Sequence, residues 1–180
     1  MTSVCPQSGK ATDPGRVLAA VTIPPPIGCN EAERAVLGAL LQMRAVEAHG
    51  VTLHLLPADF VDPRHVAALE VIVELSSDGV APDPVLVVGA LRRTGREGCF
   101  TSDRAPAVYL ADLLEAAPCI GSIGHYALVV VEHAARRRAQ ESSERIAQVA
   151  GLSDLDTCRQ VTLDELEAVY AAFDRLAAVK

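Results

Sequence analysis

After Pro118 the chain contains no further proline, and from Ser122 to about Ala150 it reads as one long helix. Proline removes a backbone donor and clashes with the turn before it, so only a stretch free of it permits such a helix. Leu128, Val131, Ala135, Ala139, Ile146 and Val149, with Ser142 in the same row, recur at roughly helical spacing, the signature of one face. Ser122 offers an N-cap oxygen, and Gly151 stands where a left-handed C-cap is expected. A loop through Ser153, Asp154 and Asp156 then leads to Thr162-Leu163-Asp164-Glu165, a capping-box pattern that predicts the start of a final helix. That helix repeats Leu163, Leu166, Tyr170, Phe173 and Ala177 at alternating spacings of three and four. The two segments form a helical hairpin, and two helices cannot hide both rows on each other. Tyr170 and Phe173 are two of only three Tyr and three Phe in the chain, and aromatics on such a row favour pairing with a second protein over folding back as extra core.

The earlier part is also punctuated as helices. Asn30 followed by Glu33 reads as a capping box for a helix that turns Ala32, Val36, Leu37, Leu40 and Leu41 to a core. Asp62-Pro63 places an N-cap and a first-turn proline ahead of Leu69, Ile72, Val73 and Leu75, with a stop at Ser76-Ser77-Asp78-Gly79. Asp83-Pro84 repeats that start, and its helix runs through Leu86, Val87, Ala90 and Leu91 to Gly95. Another segment spans Ala107 to Ala116 and closes at Pro118. Residues 1–26, which end in Pro24-Pro25-Pro26, carry little periodicity and read as a mobile arm with a stiff end. The expected fold is therefore all-α: an arm over 1–26, a helical head over 27–118 and the hairpin over 119–180.

Charge narrows the partners. The formal net charge is -7, and the head alone carries thirteen acidic against seven basic side chains, the wrong sign for a surface that neutralises phosphates. Direct DNA binding is not expected. The exception is the run Arg136-Arg137-Arg138, a candidate contact for an acidic partner or a phosphate. Three successive helical residues point in three directions, however, so a solvated face explains the run more simply. Cys5, Cys29, Cys99, Cys119 and Cys158 show no C-x-x-C pair and read as reduced structural thiols. With no signal sequence and no long apolar run, a cytoplasmic protein is expected. Arginine-rich, lysine-poor composition suggests a high-GC source, an actinobacterium or one of its phages.

Catalytic patterns are weak. Gly9-Lys10-Ala11-Thr12 lacks both the upstream glycine and the hydroxyl of a phosphate loop. His49 and His54, or His125 and His133, lack the spacing that points two imidazoles at one metal. Asp59, His65 and Ser76 or Ser77 have nothing to position them as a triad, and His65 reads as a structural histidine. No cofactor, no metal and no ATP hydrolysis are expected.

Glu31-Ala32-Glu33-Arg34-Ala35-Val36-Leu37-Gly38 after the prolines, Leu56-Pro57-Ala58-Asp59-Phe60 and then His65 form an ordered series of motifs. It continues with Leu75, Gly79, Asp83, Leu91 and Gly95, and then Tyr109-Leu110-Ala111-Asp112-Leu113, Pro118 and Tyr126-Ala127. In order and spacing the series resembles the N-terminal, non-motor domain of bacterial replicative hexameric helicases of the DnaB type, over about five sixths of the chain. Val61, Ala68 and Leu69 depart from the pattern as core-type substitutions. The resemblance implies a helical head with a helical hairpin, subunits paired through the hairpin, a ring built from such pairs, and primase docked on this collar. After Leu176 only Ala177, Ala178, Val179 and Lys180 follow, so the chain reads as a collar without its motor. The expected role is a protein-interaction and oligomerisation module in DNA replication, meeting itself, primase, the replicative helicase or a helicase loader. The alternatives are an N-terminal fragment of a complete ATP-dependent helicase and an unrelated helical-bundle regulator that contacts DNA through Arg136 to Arg138.

Overall fold

Helix starts are set by aspartate and proline, as the sequence predicts. In the computed structural model, which describes residues 30–100, 105–117, 119–152 and 154–179, Asp62 accepts from the Arg64 backbone N–H at 2.9 Å. Asp83 accepts from Val85 and Leu86 at 2.7 and 3.1 Å. These caps satisfy donors that the first turn leaves open. The order is α1 (Asn30–Leu40), α2 (Ala45–Thr52), a 3-10 turn (Pro57–Asp59), α3 (Pro63–Ser77), α4 (Pro84–Arg93), a second 3-10 turn (Arg96–Cys99), α5 (Pro106–Glu115), a third (Ile120–Ser122), α6 (Ile123–Leu152) and α7 (Leu155–Val179). The fold is all-α. Gly79 and Gly95 take φ of 76° and 70°, a region side chains resist, which ends α3 and α4 where the sequence places glycine. The proline-rich arm and the Gly9-to-Thr12 segment lie outside the described residues, as does Pro118.

α1 is the centre of the head and packs on α3, α5 and α6. Val36, Leu37, Ala39 and Leu40 are fully buried, and with Leu69, Ile72, Leu91, Leu110 and Leu113 they make one core. That core continues into Ile123, Ala127, Val130 and Val131 of α6, so the start of the long helix belongs to the head as much as to the hairpin. Gly38 permits the closest approach. A Cβ there would stand 1.9 Å from the Leu113 carbonyl oxygen, far inside contact distance. Gly38→Ala is expected to force α1 from α5 and to lower stability by about 3 kcal/mol, read as a drop in the denaturant midpoint; an unchanged midpoint would refute the packing account.

Several local expectations need correction. Glu33 does not close a capping box on Asn30. Its carboxylate is buried, accepting from the Val61 backbone N–H at 3.1 Å and meeting His65 Nδ1 at 2.6 Å. An acceptor is worth more to donors cut off from water than to a helix end that water can reach. Gly151 is not a left-handed cap but lies inside α6. α7 begins at Leu155, seven residues before the predicted capping box, because Asp154 caps it instead. Asp154 Oδ1 accepts from the backbone N–H groups of Asp156 and Thr157 at 3.1 and 3.0 Å, and the Thr157 bonds hold this carboxyl below its usual range. Val61 is exposed rather than core, while Ala68 and Leu69 are buried. Among the described residues no single helix is long and apolar enough to cross a membrane.

Candidate protein-interaction surface

α7 has two unlike faces. The inner one carries Glu165, nearly buried, with Ala168, Val169, Ala172 and Leu176 half-buried. Glu165 accepts hydrogen bonds from two side chains of α6, Ser142 Oγ at 2.7 Å and Arg138 Nη2 at 2.8 Å, and forms an ion pair with Arg145 Nε at 3.3 Å. Because these partners span two turns of α6, they fix the register of the two helices. The hairpin is also fastened to the head. Asp59 in the first 3-10 turn is 2 % exposed; its carboxylate accepts from the Leu56 backbone N–H at 2.8 Å and pairs with Arg175 of α7. Arg137 donates to the carbonyl oxygens of Ala58 and Asp59 at 2.8 and 3.1 Å. Two helices thus hold one turn.

The arginine run is divided among these tasks. Arg137 clasps the head, Arg138 serves Glu165, and Arg136 pairs with Glu132 one turn back at 2.5 Å. Three guanidinium groups with three separate intramolecular partners do not form a shared patch for a nucleic acid.

The outer face of α7 is the predicted row. Tyr170 is 68 % exposed and Phe173 44 %, with Leu163, Leu166 and Ala177 exposed beside them. Leu155, which the sequence reading missed because it was assigned to a loop, extends the face and is 87 % exposed. On α6 the expected row divides. Leu128, Ala139, Ile146 and Val149 are half-buried, but Val131 and Ala135 are closed inside the protomer. Those two positions support the surface from within and are unavailable to a second chain, because α1 and α7 already cover α6 on that side. Between the first 3-10 turn and the hairpin lies a groove of about 530 Å³, floored by Ala134, Ala168 and Ala172 and edged by Arg137, Arg175 and Glu141.

Comparison with known proteins places this architecture. Residues 27–132 match the model of the DnaB-like helicase N terminal domain, more than half of the chain. The chain belongs to that family. A DnaB-type N-terminal domain is a non-motor module of the replication helicase, which agrees with the resemblance read from the motifs. The crystal structure of the N-terminal domain of DnaB helicase from Mycobacterium tuberculosis is similar, with a TM-score of 0.69 and 29% identity, over 78% of this chain and 96% of that one. No curated protein matches.

The DnaB-type motifs acquire physical meaning here. Gly38 makes the α1–α5 contact, Asp59 is the clasp, and Phe60, His65 and Tyr109 fill the head. They are scaffold residues. Sequence reasoning gave the Asp59 motif no role in holding the hairpin, because its partner Arg175 lies 116 positions away and nothing local announces the pairing. Among the described residues no group of three or more His, Cys, Asp or Glu side chains could hold a metal ion.

Proposed function

We propose that this chain is a self-pairing docking module of the replication machinery: it joins a second copy, or the equivalent hairpin of a full-length helicase, through the outer face of α7. The observation that carries the reading is the two-faced helix. Its inner face is consumed by Glu165 and the alanines, while Tyr170, Phe173, Leu163 and Leu166 present apolar surface to solvent. Isolated apolar residues on a surface need no explanation, but a continuous helical row with two aromatics is the composition of an interface core. An isologous pair would bury each row against its copy, and rings of such pairs follow the family's pattern.

The groove beside the Asp59 clasp supplies a second surface, with mixed charge over an alanine floor. In this reading it receives primase, the helicase or its loader, so the module regulates or assembles a ring rather than driving it. The test is to immobilise the chain and offer purified helicase N-terminal domain and purified primase in turn. Retention of either at moderate salt is expected. Retention of neither, at low and moderate salt alike, would remove the replication-partner role.

A further inference from the structure

We propose that a small cavity enclosed by α1, α3 and α5 binds a hydrogen phosphate group, either free or at the end of a phosphomonoester. The cavity is about 70 Å³ and is lined by Asn30, Arg34, Arg64, His65, Tyr109 and Asp112. It is distinct from the hairpin surface and from the groove. Tyr109 is held on all sides: its ring stacks on His65 at 5.9 Å, meets Phe100 edge-on at 5.3 Å, and lies under the Arg64 guanidinium at 5.2 Å. Its hydroxyl is nevertheless buried with no hydrogen-bond partner among the described residues. A buried hydroxyl left unpaired costs free energy, so such a group marks a place where a partner belongs. Burial pushes the phenol well above its ordinary value, which keeps the proton on and makes the group a donor.

Among the described residues both neighbouring guanidinium groups keep a donor free. Arg34 gives one N–H to the Asp112 carbonyl at 3.3 Å and among the described residues makes no other hydrogen bond. Arg64 holds Asp62 through Nε and Nη2, leaving Nη1. Two arginines and a tyrosine brought to one cavity from three helices suit an oxyanion. The void exceeds the roughly 30 Å³ that one water occupies and suits one tetrahedral group. The remaining wall decides which one. Asp112 lines the rest of the wall, and a carboxylate at a cavity wall repels a fully ionised anion but accepts a hydrogen bond from a P–OH. At pH 6 orthophosphate carries such a proton in all its forms and a phosphomonoester, whose second pKa is about 6, carries it in about half of its molecules; sulfate carries none. With Asp62 already offsetting Arg64 and the whole chain at -7, a general positive field is absent, so binding depends on this arrangement of donors and acceptor.

Calorimetric titration of the full chain with orthophosphate and with sulfate at pH 6 tests the site. Saturable phosphate binding, with sulfate at least about tenfold weaker, is expected. Tyr109→Phe should weaken phosphate by about tenfold, the effect of one hydrogen bond, with the helical circular dichroism unchanged. Asp112→Asn should bring sulfate close to phosphate, a change of selectivity that loss of structure cannot imitate. Phenyl phosphate separates the sources: tighter binding than orthophosphate identifies a phosphomonoester end, and orthophosphate binding alone identifies the free ion. The proposal fails if neither phosphate binds saturably, which leaves only water in the cavity. It fails equally if phosphate and sulfate bind alike and Asp112→Asn changes nothing, which is an adventitious ion only.

Discussion

A chain carrying both Tyr170→Asp and Phe173→Asp is expected to remain folded and to run as a monomer where the parent chain self-associates. Both side chains are substantially exposed in the protomer, and exposed substitutions usually change stability by no more than about 0.5 kcal/mol. In a symmetric pair each change counts twice. If each of the four truncated contacts contributes about 1 to 2 kcal/mol, the pair loses about 4 to 8 kcal/mol, or roughly three to six decades in Kd. Introduced carboxylates facing one another add repulsion. Light scattering across a concentration series decides the matter, with circular dichroism as the control. A parent chain that is monomeric at high concentration overturns the pairing, and so does a double variant that associates as tightly as the parent.

The helical class and most helix starts were legible because they rest on local chemistry. Asp62-Pro63 and Asp83-Pro84 are complete signals within two residues, and Gly79 and Gly95 mark turns that side chains resist. The exposed row on α7 was legible for the same reason, since periodicity requires only the helix itself. What escaped was non-local or competitive. Glu33 could cap its own helix or enter the core, and the choice was made by Val61 and His65, about thirty positions away. The sequence reading places the start of the last helix at Thr162 and Asp154 in the loop before it; the helix starts from the Asp154 cap instead because nothing between Leu155 and Thr162 breaks a helix, and Thr162 bonds back to the Cys158 carbonyl at 2.8 Å. α2 passed unnoticed because its apolar positions form no clear face, with Val46 and Leu53 left in solvent.

The hairpin rows illustrate a subtler limit. Periodicity marks which residues share a helix face but not what that face meets. On α7 the marked face meets solvent, whereas on α6 the face holding Val131 and Ala135 meets the head and α7. The sign was in the polar residues. Ser142, Arg138 and Arg145 all find one carboxylate, Glu165, and a Ser among alanines on a long helix is better explained by such a partner than by an apolar interface.

The largest effect within the protomer is expected at Glu33, which meets His65 Nδ1 at 2.6 Å in a hydrogen-bonded pair whose side chains are each only 1% exposed. Glu33→Ala removes the acceptor from His65 Nδ1 and from the Val61 N–H together, and the buried imidazole cannot turn to water instead. Leaving the buried imidazole unpaired beside the cavity of the missing side chain costs about 3 to 5 kcal/mol, a large part of the roughly 5 to 15 kcal/mol that holds a domain folded. Glu33→Gln keeps the shape and one acceptor oxygen, so it should fall between Ala and the parent. The paired change Glu33→Met with His65→Leu removes both polar partners and should recover most of the loss at His65, because replacing both partners of a buried hydrogen bond by apolar groups of similar shape is nearly neutral. Urea midpoints should therefore order the parent first, then the paired change and Glu33→Gln, with Glu33→Ala last. An alanine variant within about 1 kcal/mol of the parent would show that the pair does not support the head. The consequence reaches the hairpin: Val61 stands two residues after Asp59, whose carboxylate and carbonyl meet Arg175 and Arg137. Loosening Glu33 should raise hydrogen exchange at the end of α7 as well as in α1, linking the core of the head to the helix that presents the exposed apolar row.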